Sequence, residues 1–364
     1  MERSPNGPPA FDALIHIARY FRQSMETTLS AGKARKLAVP EWALNALMVL
    51  FSLALVYGGM EAYVSLAVDD GMQFDLEMWR YAREIKRQSA NPEIGHEHRP
   101  NTRARLMGVD VAISSQGLRD REFPPAPPPG RTRILMLGDS LTFGWGVAQE
   151  RIYAKRLEDM LRAAGHDAEV INTGVGNYNT EMEVAYFLER GAKFKPHYVV
   201  LNYFINDAEP TPRDHSNFLS RNSRAFVYFA SRADMALRMA NLGERTDWKT
   251  YYRNLYDAEG VGRVRGAIAR LAAYCREHKI RLILTNQPEL RDPANYAFPQ
   301  VEEVIGRIAA EQRLKLLNLR DAVRELPPES LWVTRPDPHP SAIAHEAFAG
   351  ALFRMFRGEL RREK

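Results

Sequence analysis

From residue 131 onward, short runs that are apolar throughout alternate with longer amphipathic ones, and this alternation restricts the fold more than any other feature. "RILMLG", "AEVINTG", "HYVVLNYF", "IRLILTN" and "LKLLNL" carry apolar residues on both faces of an extended chain. Between and after them, "AKRLEDMLRAAG", "EMEVAYFLERGA", "VRGAIARLAAYCREH", "VEEVIGRIAAEQ" and "SAIAHEAFAGALFRMF" repeat apolar residues at helical spacing. A strand that is apolar on both faces must be covered on both, and parallel strands need helical crossovers to join them. The pattern predicts an α/β domain with a parallel sheet between helices. In open sheets of this kind, reacting groups collect outside the carboxyl ends of the strands.

Upstream the chain has a different character. "WALNALMVLFSLALVYGGM", Trp42 to Met60, holds no charged residue. At about 1.5 Å per residue, its helix approaches the ~30 Å hydrocarbon thickness of a bilayer. Trp42 and Tyr57 lie near its ends, where amphipathic rings favour the interface. A buried core helix would carry a polar face, and a cleaved signal peptide would need a leader roughly twice the usual length. Arg22, Lys33, Arg35 and Lys36 precede the run, whereas Asp69, Asp70, Asp75 and Glu77 follow it. Basic flanks stay on the cytoplasmic side. The expected organisation is a cytoplasmic segment over 1–40 with an amphipathic helix in "FDALIHIARYF", then a single-pass anchor over 41–68 in the inner membrane. Residues 69–130 would form an extracytoplasmic lead segment, and 131–360 the α/β domain, interrupted by an insertion at about 208–258.

Within the lead segment, "FDLEMWRYAREIKRQ" reads as a helix and "RLMGVDVAISSQGLRD" as a strand or hairpin. His96 and His98 lack a third ligand at metal-binding spacing and read as loop residues, so no metal is expected. "FPPAPPPG", Phe123 to Gly130, is a stiff connector. Fifty basic residues are interleaved with 45 acidic ones, for a net charge of +5. Without a basic stripe, that balance gives no footprint for nucleic acid. The one cysteine, Cys275, excludes an intrachain disulfide. "GDSLTFGWG" has neither the lysine of a phosphate loop nor dinucleotide spacing, so no cofactor is expected.

Four segments reach the carboxyl edge of the predicted sheet. Ser140 follows the first strand in "GDSLT", and "NTGVGNYNT" is a glycine-bearing turn after the second. Asn206 and Asp207 follow the third in "NYFINDA", and Asp337 and His339 precede the last helix in "RPDPHPS". Singly, each reads equally well as an ordinary loop. Together they make the set that acyl transfer needs. His339 would take the proton of the Ser140 hydroxyl, and Asp337 would hold the imidazole. The Ser140 N–H, a turn N–H and the Asn206 amide would receive the oxyanion. Phe143, Trp145 and Asp207 are the expected substrate contacts, the two rings either lining the acyl pocket or packing beneath the insertion.

In order and spacing, these four blocks resemble the SGNH/GDSL hydrolases, with similarity over about residues 131–356. The resemblance implies a three-layer α/β/α sandwich with a flavodoxin-like parallel sheet and a Ser–His–Asp site for ester or amide hydrolysis. By that match Ser140 is the nucleophile, Asn206 an oxyanion donor, His339 the base and Asp337 its partner. Two positions depart from the family pattern. The position of its oxyanion glycine, five residues after Asn172, holds Asn177, so the donor is either the Asn177 N–H or that of Gly176. The final block is D-x-H in place of the commoner D-x-x-H. The expected activity is ester hydrolysis on an extracytoplasmic ester, borne by a glycan or lipid. The alternative is O-acyl transfer to a surface polysaccharide, as in similar membrane-tethered relatives, with a membrane partner in an acylation system. A second alternative is a non-catalytic membrane scaffold.

Overall fold

The computed structural model describes residues 40–212, 217–239, 247–335 and 337–361. The expected amphipathic helix near the N-terminus lies outside the described residues. Two units are distinguished, 1–58 and 59–364. In the first, the chain enters helix α1 (Glu41–Tyr63), which continues as a π-helical turn to Val68. Among the described residues, Glu41–Val68 is the one helix long and apolar enough to cross a membrane.

The second unit begins its lead segment with α2 (Phe74–Glu84). Two antiparallel ribbons follow, β1 (Lys86–Gln88) with β2 (His96–His98), and β3 (Arg103–Leu106) with β4 (Val109–Ala112). His96 and His98 therefore lie on a strand rather than in a loop, two residues apart and so on one face. The sheet domain then runs β5 (Thr132–Leu137), the single turn α3 (Ser140–Phe143), α4 (Tyr153–Ala163), β6 (Ala168–Asn172), α5 (Thr180–Glu189) and β7 (Tyr198–Tyr203). Within the insertion are α6 (Phe218–Asn222), α7 (Arg224–Met239) and α8 (Trp248–Asn254). After it come α9 (Ala258–Glu277), β8 (Arg281–Asn286), α10 (Pro299–Glu311), β9 (Lys315–Asn318), the ribbon β10 (Trp332–Thr334) and β11 (Asp337–Pro340), and α11 (Ala342–Arg361).

Strands β5 to β9 form one parallel sheet in the order β6-β5-β7-β8-β9. The period-2 alternation of β5 explains the layers. Leu135 and Leu137 pack with α5, α9 and α10 through Phe187, Ile268, Leu271 and Ile305. Ile134 and Met136 pack with α4 and α11 through Leu157, Leu161, Phe348 and Leu352. Each such side chain, withdrawn wholly from water, contributes on the order of 1.5–3 kcal/mol. The architecture is a three-layer α/β/α sandwich with a flavodoxin-like parallel sheet. Because β6 lies on one side of β5 and β7 on the other, the loops leaving β5 and β7 diverge. That topological switch point opens a crevice at their carboxyl ends.

Within the second unit, the insertion packs on Glu61, the π-helical turn and α2. Glu61 accepts hydrogen bonds from the Arg224 and Ala225 N–H groups and the Ser223 hydroxyl at the start of α7. Val64, Leu76 and Ala225 are fully buried together.

Candidate active site

β5 delivers the chain to Gly138 and Asp139, and α3 starts at once. Asp139 Oδ1 accepts the Leu141 N–H at 2.8 Å and so caps this turn. Only glycine fits at 138, since a Cβ there would sit 1.9 Å from Thr142 Oγ1. The tight entry leaves Ser140 7% exposed at the strand end, its Oγ 2.8 Å from His339 Nε2. His339 stands on β11, whose ribbon partner is β10, and its ring centroid lies 5.8 Å from that of Phe74 and 6.3 Å from that of Trp145. Residues 199 positions apart are thus in hydrogen-bond contact. The side chain of Asp337, expected to orient His339, lies outside the described residues.

The glycine turn after β6 lies directly against the Ser140 turn. A Cβ on Gly174 would fall 2.3 Å from the Phe143 nitrogen, a backbone atom that cannot swing aside. Asn177 adopts φ +66°, the left-handed conformation for which asparagine is among the better non-glycine residues. Its N–H has no hydrogen-bond partner among the described residues. The Gly176 N–H, by contrast, donates to Tyr81 Oη at 2.9 Å. That bond takes Gly176 out of the two donors considered from sequence.

Beneath the serine lies a group of buried carboxyls. Burial raises Asp139 to about 6, although the Leu141 N–H, His339 and the Asn206 side-chain amide all favour its charged form. Asp207 and Glu183 are pushed well above the usual carboxylate range, first by burial, then by the charges of Asp207 and Asp139 for Glu183 and of Asp139 and Glu209 for Asp207. Asp207 accepts the Phe204 N–H and the Thr180 hydroxyl and is 2% exposed. It holds the turn that carries Asn206, and the expectation that it touches substrate is corrected.

Phe143 and Trp145 are corrected as well. They are 0% and 1% exposed and join Tyr81, Ile85, Leu106, Met107, Val111 and Ile113 of the lead segment in one apolar cluster. The cause is geometric: α3 is a single turn, so the chain after Ser140 is folded back under α2 and the two ribbons. Both rings are packed against the lead segment.

The lead segment also supplies polar groups that no motif announced. The Arg119 guanidinium, 1% exposed, donates to the carbonyls of Phe143, Gly144 and Val147 at 3.1, 2.6 and 2.7 Å. Lys86 Nζ donates to the Gly176 carbonyl at 2.6 Å and to Asn177 Oδ1 at 2.8 Å, and His96 Nε2 lies 2.9 Å from the same carbonyl. The one available sequence signal was the i, i+2 spacing of His96 and His98, which puts both on one strand face. Among the described residues, no group of acidic, histidine or cysteine side chains could hold a metal ion.

Residues 136–347 match the model of the GDSL-like lipase/acylhydrolase family. Among solved structures, TesA aligns at 14% identity over 62% of this chain and 99% of its own, with a TM-score of 0.42. The psychrotrophic esterase EstA from Pseudoalteromonas sp. aligns at 15% identity over 63% and 99%, with a TM-score of 0.41. The acetylxylan esterase Axe2 from Geobacillus stearothermophilus aligns at 18% identity over 61% and 93%, also at 0.41. No curated protein matches the chain.

Proposed function

The chain belongs to the GDSL-like lipase/acylhydrolase family, and from that premise we propose that it is a serine ester hydrolase working through an acyl-Ser140 intermediate. The observation that carries the reading is the 2.8 Å contact between His339 Nε2 and Ser140 Oγ at the carboxyl end of β5. In that contact Nε2 accepts the hydroxyl proton, so Nδ1 carries the imidazole hydrogen.

As Ser140 Oγ attacks the ester carbonyl, its proton passes to His339 Nε2. The carbonyl oxygen becomes an oxyanion that accepts from the Ser140 N–H, the Asn177 N–H and the Asn206 amide. Collapse of the tetrahedral adduct expels the alcohol, which takes the proton from His339. Water then gives a proton to His339 and attacks the acyl-serine, and the second collapse releases the carboxylic acid and restores Ser140. Asp337 is assigned as the acid that orients His339 by its place two residues before it in the sequence.

The charge-free Trp42–Met60 run, with basic residues before it and acidic ones after, supports a single-pass anchor in the inner membrane. On this reading the hydrolase lies on the extracytoplasmic side and acts on a glycan- or lipid-borne ester. Transfer of the acyl group to a sugar hydroxyl would use the same acyl-serine and differ only in the second acceptor.

The test uses the full chain in detergent with p-nitrophenyl acetate and a fluorophosphonate. The wild type should hydrolyse the ester and be labelled at Ser140, and Ser140→Ala should lose both. Equal hydrolysis by Ser140→Ala would refute the assignment. Acetylated oligosaccharide, formed when a sugar is added, would assign transfer over hydrolysis.

A further inference from the structure

Helix α2 and the β1–β2 ribbon together grip the glycine turn at every polar group of one residue. Gly176 donates its N–H to Tyr81 Oη at 2.9 Å, and its carbonyl receives both Lys86 Nζ at 2.6 Å and His96 Nε2 at 2.9 Å. Tyr81 Oη lies in turn 2.6 Å from His98 Nε2, and His98 Nδ1 lies 3.2 Å from the Gly117 carbonyl. One proton arrangement satisfies the whole chain. His98 gives its Nδ1 hydrogen to Gly117 and accepts the tyrosyl proton, which leaves the Tyr81 oxygen free to accept from Gly176. His96 carries its hydrogen on Nε2. His98 must be neutral for this, and burial together with the charge of Lys86 lowers both imidazoles to about 3.

The Gly176 carbonyl and the Asn177 N–H are the two ends of a single planar peptide. In a trans peptide they point in opposite directions. Two donors on the oxygen fix the plane, and they also withdraw electron density from the nitrogen, which strengthens the N–H as a donor. Lys86 holds the Asn177 side chain as well, against the swing that would rotate this peptide. The lysine is 8% exposed and, among the described residues, has no carboxylate partner. A buried ammonium held by two carbonyl oxygens and the face of Tyr81 is costly to keep, and here it sits on the carbonyl of the peptide whose N–H is the proposed oxyanion donor.

We propose that Lys86, with His96, is a positioning residue for the oxyanion donor Asn177 N–H, so that the lead segment is a working part of the active site. This rests on the reading of Ser140 as nucleophile. The groups facing Lys86 are Tyr81 from α2, His96 and His98 from β2, and the Gly176–Asn177 peptide from the turn, with Arg119 beyond His98. Glu97 of β2 pairs away from it, with Arg87 and Arg190. Burial lowers Lys86 to about 7. The ammonium, with its stronger pull on the Gly176 carbonyl, is therefore present below about pH 7 and lost as pH rises through it.

The test compares wild type, Lys86→Met, His96→Gln, His96→Phe and Ser140→Ala as full chains in detergent. Steady-state hydrolysis of p-nitrophenyl acetate is followed from pH 5.5 to 9, with fluorophosphonate labelling rates and thermal melts alongside. In Lys86→Met the donor remains but is neither held nor polarised. Its kcat should fall roughly tenfold to a hundredfold, less than the 10²–10³ of a donor removed outright. KM should stay within about twofold, labelling should slow in step, and the alkaline fall of kcat near neutrality should disappear. His96→Gln, which keeps a donor, should retain more activity than His96→Phe, and this pair decides if Lys86→Met does not fold. An active Ser140→Ala would overturn the underlying function. An inactive Ser140→Ala beside wild-type kcat and pH profile in Lys86→Met, or a loss confined to KM, would overturn the role of Lys86 alone.

Discussion

Glu183 offers a test of the buried carboxyl group beneath the serine. It stands in the first turn of α5, 1% exposed, and neither of its carboxylate oxygens has a hydrogen-bond partner among the described residues. A buried polar group without a partner costs about 1–3 kcal/mol even when uncharged. Methionine has a similar length and a similar helix propensity, so Glu183→Met should recover most of that amount. A second contribution depends on pH. Burial and the neighbouring charges of Asp207 and Asp139 raise the folded-state pKa of Glu183 well above its ordinary value. The native protein therefore holds a proton that the unfolded chain releases above about pH 4.3. Stability then falls with rising pH by up to ~1.4 kcal/mol per unit until the native group also ionises. Methionine removes this loss, so its advantage should widen from acid to alkaline pH. The assay is thermal unfolding by tryptophan fluorescence at pH 5.5 and 8.5. At ~2–4 °C per kcal/mol for domains of a few hundred residues, the melting temperature should rise by several degrees at pH 5.5 and by more at pH 8.5. A fall at both values, or a gain that does not grow with pH, would refute the reasoning.

Two further substitutions probe the contacts around Ser140. Gly174→Ala should cut kcat by about 10²-fold, because its Cβ can be accommodated only by moving the Phe143 backbone and a displacement near 1 Å costs that much in catalysis; unchanged kcat would show that the two turns are not in contact. Phe143→Leu should lower stability by about 1–2 kcal/mol in thermal unfolding while the preference among acetyl, butyryl and octanoyl esters stays as in the wild type. A shifted preference would return Phe143 to the wall of the acyl pocket.

Much of the fold could be read directly from the chain. Strands such as "RILMLG" are apolar on both faces, and only a doubly covered sheet can bury them, so the alternation of period 2 with period 3.6 gave both layers without any tertiary information. Ser140, His339 and Asn206 stood out in the sequence for a related reason, since each follows a strand or precedes a helix where the chain turns toward the crevice. The lead segment was opaque. Lys86, Tyr81, His96 and Arg119 sit in short ribbons, a broken helical stripe and a loop, where no periodicity says what they face. Sequence pattern therefore left Phe143 and Trp145 between lining an acyl pocket and packing beneath the insertion, and took the two histidines for loop residues.

The sequence by itself determined the class of sheet, the apolar helix at the start and which residue types stand at the strand ends, because these depend on local periodicity and turn chemistry. Only the tertiary structure decided that His339 reaches Ser140, that Gly176 gives its N–H to Tyr81, and that Lys86 holds the peptide of Asn177. Those contacts join residues 90 to 199 positions apart. Contacts at such separations are set by how packed layers bring surfaces together, which no local pattern encodes.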